Sequence, residues 1–324
     1  MRVSRKNIVR TVRVLAAAAG MTTLAVVILA VMRSDLRLPE STVLLRDRQG
    51  RFVGEAGASG PDGEFGYWRL TSIPPRVAAA MLAIEDRRFD SHPGVDPLAI
   101  ARAARQNLRS SGRVSGASTI AMQVARMQYP GARTWPRKIV EAATALCLTA
   151  RHGREAVLTH YLTIVPYGNR IHGIRYAARR YLDKPVEDLS WAEIAFLSAI
   201  PQAPGRMNPF DPYGRTAAIG RGRRILDLLQ KNGVISRDER DLARRQIGAL
   251  VVPPAGERPE EALHAVLRLA RDSSAWKAEK REVVQTTLDL DLQALVESEM
   301  DDAVRAWEAE GAHNAAVIVI DRET

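Results

Sequence analysis

Cysteine is nearly absent. A single thiol, Cys147, in 324 residues excludes an intrachain disulfide framework and any multi-cysteine zinc or iron–sulfur site. Histidine is sparse too, and none of the six falls in an H-E-x-x-H zinc helix. No GxxxxGK(S/T) phosphate loop occurs. Internal repeats and low-complexity tracts are missing apart from one apolar run. With 46% hydrophobic and 26% charged residues, the chain is neither disordered throughout, nor collagen, nor a coiled coil. Carboxylates are scarce in one place: between Pro97 and Arg154 the only one is Glu141.

What is plentiful is positive charge. The net charge is +10 and the pI about 10.1. Such chains usually meet nucleic acid, an anionic membrane or phosphorylated substrates. Distribution decides among them. Residues 1–37 hold seven basic side chains against Asp35, a net +6. Inside them runs VLAAAAGMTTLAVVILAVM, Val14–Met32, nineteen residues without a charge and long enough to cross a bilayer as a helix. Five basic residues precede it, so the N-terminus is expected in the cytoplasm and the rest outside. No small-x-small cleavage site precedes Arg33, and the run is long for a signal peptide. Residues 101–154 hold ten basic side chains against Glu141, a net +9. Everything else sums to −5. A basic block outside the cytoplasm argues against nucleic acid as partner.

The periodicity predicts a mainly α protein with a small β element. TVLLRDRQGRFVGE (Thr42–Glu55) reads as two short strands around a turn at Gln49-Gly50. Helices are expected at Arg76–Phe89, Pro97–Arg109, Thr119–Gln128, Pro136–Arg151, Arg154–Ile164, Ile174–Leu182, Ser190–Ile200, Ala217–Lys231, Arg237–Gln246 and Glu261–Arg271. EVVQTTLDLDLQALVESEMDDAVRAW reads as a strand then a helix, and NAAVIVIDRET as a strand with nothing to pair it. The expected division is a tail at 1–13, a membrane anchor at 14–32, hairpin and linker at 33–70, a helical domain at 71–250, a linker at 251–280 and the start of a truncated α/β domain at 281–324.

Three segments carry chemistry. In AMLAIEDRRFDSHPGVD (Ala80–Asp96), Glu85 lies at the edge of an apolar helix stripe. A carboxylate bordering apolar surface near a helix end suits a general base, although such acids more often pair with an arginine. His92 reads as a structural hydrogen-bonder. In SGASTIAMQVARM (Ser115–Met127), Ser118 or Thr119 can cap a helix, and Gln123 and Arg126 share its face. Hydroxyls at a helix N-terminus with an arginine a turn on would hold an anion; an ordinary capped amphipathic helix looks the same. In WPRKIVEAATALCLTA (Trp135–Ala150), Arg137 and Lys138 open a helix in which Glu141 stands alone among apolar residues. That acid is either salt-bridged or a second catalytic group. Cys147 reads as packing. The S-x-x-K match at Ser274–Lys277 has no S-x-N or K-T-G companion, so no transpeptidase activity or penicillin acylation is expected.

In this order and spacing the segments resemble the glycosyltransferase family 51 domain of class A penicillin-binding proteins, most of all the type 1C branch. The family shows E-D-x-x-F-x-x-H-x-G-x-D, here EDRRFDSHPGVD; G-x-S-T-I-x-x-Q, here GASTIAMQ; and R-K-x-x-E, here Arg137, Lys138 and Glu141. VLTHYLTIVPYG (Val157–Gly168), AARRYLDK (Ala177–Lys184) and LSWAEIAFLSAIPQAPGRMNP (Leu189–Pro209) also match. QTTLDLDLQ and NAAVIVIDRET look like the entry to a transpeptidase domain. Arg126 stands at a usual lysine, Thr159 at a usual glutamate, and Thr163 and Met127 at usual asparagines.

The resemblance implies a lysozyme-like glycosyltransferase domain on the outer face of a bacterial plasma membrane, periplasmic where an outer membrane exists. It implies lipid II as substrate, with the growing glycan chain as donor. Glu85 would be the base and Glu141 the second catalytic acid. Ser118, Thr119, Gln123, Arg126, Arg137, Lys138, Asp86 and Phe89 would bind substrate. A divalent cation, Mg²⁺ or Mn²⁺, on the pyrophosphate is plausible, though no metal cage is visible. Other cell-wall synthesis proteins are expected partners. Two other readings stay open: a lytic hydrolase built around one glutamate, and a catalytically degenerate membrane-bound scaffold that binds lipid II.

Overall fold

The computed structural model describes residues 5–39, 41–56, 59–60, 63–64, 66–109, 118–252, 263–271 and 281–319. Gly116, Ala117 and Ser274–Lys277 lie outside the described residues. In chain order the elements are α1 (Arg5–Met32), β1 (Val43–Arg46), β2 (Phe52–Ala56), β3 (Ser59–Gly60), β4 (Gly63–Glu64), β5 (Gly66–Tyr67), α2 (Pro75–Glu85), α3 (Pro97–Arg109), α4 (Ile120–Gln128) and α5 (Trp135–Ile164). They continue with β6 (Pro166–Gly168), β7 (Ile171–His172), α6 (Ile174–Leu182), α7 (Trp191–Ala199), α8 (Pro212–Lys231), α9 (Arg237–Gly248), α10 (Leu263–Arg271), β8 (Val283–Gln285) and α11 (Leu290–Ala306). The protein is mainly α.

Two compact units divide the chain: residues 1–39 with 69–252, and residues 40–68 with 253–324. In the first, α7 is apolar on every side and runs through the core, with Phe196 and Leu197 fully buried. Ser190 and Glu193 start it with a reciprocal capping box. α2 packs on α7 and α8, α9 on both of those, and α4 on α5. α8 begins at Pro212, earlier than the expected Ala217, because Asp211 caps it, accepting from Gly214 N at 2.6 Å. The two helices expected at 136–151 and 154–164 form one element, α5, interrupted at Gly153. That residue takes φ 80° and ψ 163°, a conformation that glycine adopts without steric cost.

Residues Arg13–Met32 of α1 have a mean hydropathy of 2.4 and are long and apolar enough to cross a membrane. Only 6% of this window is buried, unlike the core helix of a soluble protein. α1 meets the rest of its unit at its C-terminal end, where it packs on α5. There Ala30 and Ser34 are buried, His152 Nε2 lies 2.8 Å from the Ser34 carbonyl, and Arg151 pairs with Asp35 at 2.7 Å.

The second unit is a small sheet in the order β2-β1-β8. β1 and β2 form the expected antiparallel hairpin, with Asp47 holding the turn through the amides of Gln49 and Arg51. β8 adds to β1 in parallel, Leu44 opposite Val283. Val43, Leu45, Val53, Ala56 and Val266 of α10 make its core. The hairpin and the C-terminal segment, separate regions in the sequence, are therefore one unit. The last apolar stretch departs from expectation. Residues 312–319 form no strand, and Ile318 is 87% exposed. A strand needs a partner for its backbone groups, and none pairs with this stretch among the described residues.

Candidate active site

Glu85 closes α2. Val77, Ala80 and Met81 bury one face of that helix, and this brings the Glu85 side chain to the edge of the core at 14% exposure. Both carboxylate oxygens are engaged. Oε2 accepts from Gln123 Nε2 at 3.1 Å, and Oε1 accepts from Arg221 Nη2 at 3.0 Å. Arg221, on α8, is itself nearly buried. Burial lowers the pKa of its guanidinium, while the Glu85 carboxylate pulls the other way. Its Nε has no protein partner among the described residues.

Two tyrosines back this pair. Tyr161 donates to Gln123 Oε1 at 3.5 Å, and Tyr167 lies near Glu85 with a buried hydroxyl that has no partner among the described residues. Burial first, and the Glu85 charge second, push both phenols well above their usual pKa. They remain neutral donors across the physiological range. Arg126, one turn after Gln123 on α4, lies close enough to Tyr161 to oppose that shift.

The residue after Glu85 anchors the surrounding loop. Asp86 is 7% exposed. It binds His92 Nε2 at 3.0 Å through one oxygen and accepts from the Ile120 amide at 3.0 Å through the other. His92 Nδ1 accepts from Gly94 N at 3.1 Å, so in the neutral ring the proton sits on Nε2 and points at Asp86. Gly94 has φ +111°, and a Cβ there would meet the Ala145 carbonyl at 2.5 Å. Thr119 donates to the Gly94 carbonyl at 2.5 Å and caps α4 by accepting from Met122 N at 3.2 Å. Phe89 is buried edge-on against His92. The resemblance gives Asp86, Phe89 and Thr119 as substrate-binding residues. The fold buries all three, and the polar atoms of Asp86 and Thr119 fix the start of α4 against the end of α2, with Thr119 as the cap that its position suggests. Ser118, next to Thr119, stays half-exposed.

A second cluster opens α5. Thr134 caps the helix, and Pro136 occupies its first turn. Arg137 Nε binds Glu141 Oε1 at 2.9 Å, and its Nη2 donates to the Tyr129 carbonyl. Lys138 Nζ lies 6.0 Å from the Trp135 ring centroid. Among the described residues no hydrogen bond or ion pair joins this cluster to Glu85. No three His, Cys, Asp or Glu side chains gather among them either. Glu141 is one carboxylate already neutralised by an arginine, which does not make a cage for Mg²⁺ or Mn²⁺.

The structure thus joins Glu85 to Gln123 and Arg137 to Glu141, as two separately bonded pairs. Arg221 and Tyr161 escaped the sequence reading. Arg221 sits among several arginines of α8, and only the folding of α8 onto α2 singles it out. Chemically, the first cluster is an oriented carboxylate backed by neutral donors. The second is a cationic surface with one balancing acid.

The family described as Transglycosylase matches residues 55–230. The chain is 33% identical over 262 residues to penicillin-binding protein 1C of Escherichia coli, covering 79% of this chain and 32% of that protein. It is 30% identical over 284 residues to penicillin-binding protein 2D of Bacillus subtilis, covering 84% and 40%. Over 180 residues it is 38% identical to penicillin-binding protein 1A of Pseudomonas aeruginosa, covering 54% and 22%. The chain therefore spans about a third of the length of these relatives. A crystal structure of penicillin-binding protein 1A from Haemophilus influenzae superposes with a TM-score of 0.44 at 17% identity, over 89% of this chain and 33% of that one. By the family match, which takes in more than half of its residues, this chain belongs to the transglycosylase family.

Proposed function

We propose that the chain is a peptidoglycan glycosyltransferase that polymerises lipid II at the outer face of the plasma membrane, held by α1 with its N-terminus in the cytoplasm. The observation that carries this is the Glu85 carboxylate, shielded at the end of α2 and gripped by Gln123 and Arg221. A shielded, oriented carboxylate suits proton abstraction from a sugar hydroxyl.

In this reading Glu85 takes the proton of the acceptor GlcNAc 4-hydroxyl. The hydroxyl oxygen bonds to C1 of the donor MurNAc as the C1–O bond to the pyrophosphate breaks. The α-linked donor becomes a β-1,4 linkage, and undecaprenyl pyrophosphate leaves with the bonding electrons. Each oxygen of the carboxylate accepts one hydrogen bond here and keeps a second lone pair, so Glu85 can take the hydroxyl proton while Gln123 and Arg221 hold it in place. Arg126, Arg137 and Lys138 are the candidates to meet negative charge growing on the leaving group. Ser118 is the hydroxyl left free to line that surface. Glu141 orients Arg137. Asp86, Phe89 and Thr119 act through position, by locking α4 to α2.

The test is polymerisation of labelled lipid II by the purified chain and by Glu85→Gln. Glycan strands from the parent and none from the variant are expected. Equal rates would remove Glu85 as the base. Soluble fragments from finished sacculi would make the protein a hydrolase, and tight lipid II binding without turnover in the parent would make it a scaffold.

A further inference from the structure

We infer that Arg33 and Arg37, with Gln128 and Tyr129, form a site at the outer end of α1 for the phosphate of an anionic phospholipid headgroup. The guanidinium carbons of Arg33 and Arg37 lie 4.8 and 5.5 Å from the centroid of one ring, that of Tyr129. Neither arginine has a carboxylate partner among the described residues. The acid between them in sequence, Asp35, is taken by Arg151 at 2.7 Å. Two like charges over one ring repel each other, and stacking leaves their N–H forks open toward an anion.

The surroundings supply further donors. The Arg37 amide donates to Gln128 Oε1 at 2.7 Å, which pins the chain leaving α1 to the end of α4. Gln128 Nε2 and the Tyr129 hydroxyl are buried atoms without a partner among the described residues. A phosphate on the two arginines is the kind of acceptor that would satisfy these donors.

Depth points to a lipid. The apolar window of α1 ends at Met32, so Arg33 is the first charge past the hydrocarbon. Trp135 and Ile139, 78% and 59% exposed, stand at the start of α5 a few residues beyond Tyr129. An exposed tryptophan beside basic residues is the composition of a membrane–water interface. The substrate's pyrophosphate shares the chemistry. Arg137, a cradle arginine eight residues beyond Tyr129, is turned to the Tyr129 carbonyl and Glu141 instead of joining the stacked pair. The inference needs α1 to be a membrane span; it does not need the glycosyltransferase reading.

The experiment places the full chain in nanodiscs of phosphatidylcholine doped with phosphatidylglycerol, then releases it into mild detergent. Phosphatidylglycerol carried along is counted by native mass spectrometry. The parent is expected to retain one molecule. Arg33→Gln/Arg37→Gln should lower retention about tenfold, and Arg244→Gln, which removes an arginine of α9 paired with Asp227, should leave it unchanged. Equal retention by the double variant, or equal loss in Arg244→Gln, overturns the site. Displacement by equimolar undecaprenyl pyrophosphate would assign the arginines to substrate, and displacement by equimolar inorganic phosphate would show an unselective anion site. Either result overturns the lipid assignment. If the double variant fails to fold, Arg37→Gln alone, at the exposed position, should lose about threefold, and no loss overturns the site.

Discussion

Glu85 and Glu141 are almost equally shielded, with side chains 14% and 13% exposed, yet they are held in opposite ways. Glu141 takes its arginine from four residues away on the same helix. Glu85 takes Gln123 from 38 residues away and Arg221 from 136. An i, i+4 pair forms wherever its helix forms. A pair drawn from α2 and α8 exists only when the whole unit closes. The geometry around the proposed base is therefore a product of tertiary packing, while the charge pattern at the proposed cradle is local. Changes around Glu85 should disturb orientation, and changes around Glu141 should disturb charge.

Among the partners, Arg221→Gln is expected to do the most damage. Losing the guanidinium leaves a shielded carboxylate without its ion pair and free to turn, and kcat for polymerisation should fall about a hundredfold. If Arg221→Gln polymerises like the parent, Glu85 does not depend on its tertiary partner. Arg137→Gln should lower kcat about thirtyfold, since one charge-assisted donor to the leaving group is lost. Glu141→Gln should lower it less, because the arginine remains. The reverse order, measured on the same labelled substrate, would make Glu141 more than an orienting group. Gln123→Leu should cost about tenfold or less, the worth of one neutral hydrogen bond.

The smallest effect on turnover at neutral pH is expected at His160, which touches neither acid. Its ring is buried, Nε2 has no partner among the described residues, and burial pulls its pKa down to about 4. The fold therefore holds it neutral, and the unfolded chain binds the extra proton. Stability is full above about pH 6.5 and falls as pH drops toward 4, by about 3 kcal/mol. His160→Gln should flatten that slope in urea unfolding measured at pH 7 and 4.5. An unchanged slope would place the acid sensitivity elsewhere.

Much of the helical frame was legible because its signals are local. α3 and α6 begin and end where proline, capping residues and apolar spacing place them, and the hairpin turn falls at Gln49-Gly50 as expected. The Glu141 pair was legible for the same reason. What stayed hidden depends on distant contacts. The parallel pairing of β8 with β1 joins residues about 240 apart, and no local period encodes it. Nor did any spacing single out Arg221 among its arginine neighbours on α8. Thr119 was legible as a cap, but the burial of Asp86 and Thr119 was not. Their burial follows from Gly94, whose positive φ lets the loop fold back onto α5 and α4. The apolar run at 312–319 has strand composition, yet composition cannot supply a partner strand.

The central claim is that Glu85 acts on the reacting hydroxyl and does not merely hold substrate. The direct measurement is single-turnover polymerisation of labelled lipid II by Glu85→Gln, beside the affinity of the same variant for lipid II. A base removed without loss of fold should lower the rate about a thousandfold and leave affinity within about threefold. A rate within tenfold of the parent, or a loss of affinity that accounts for the whole drop in rate, would contradict it.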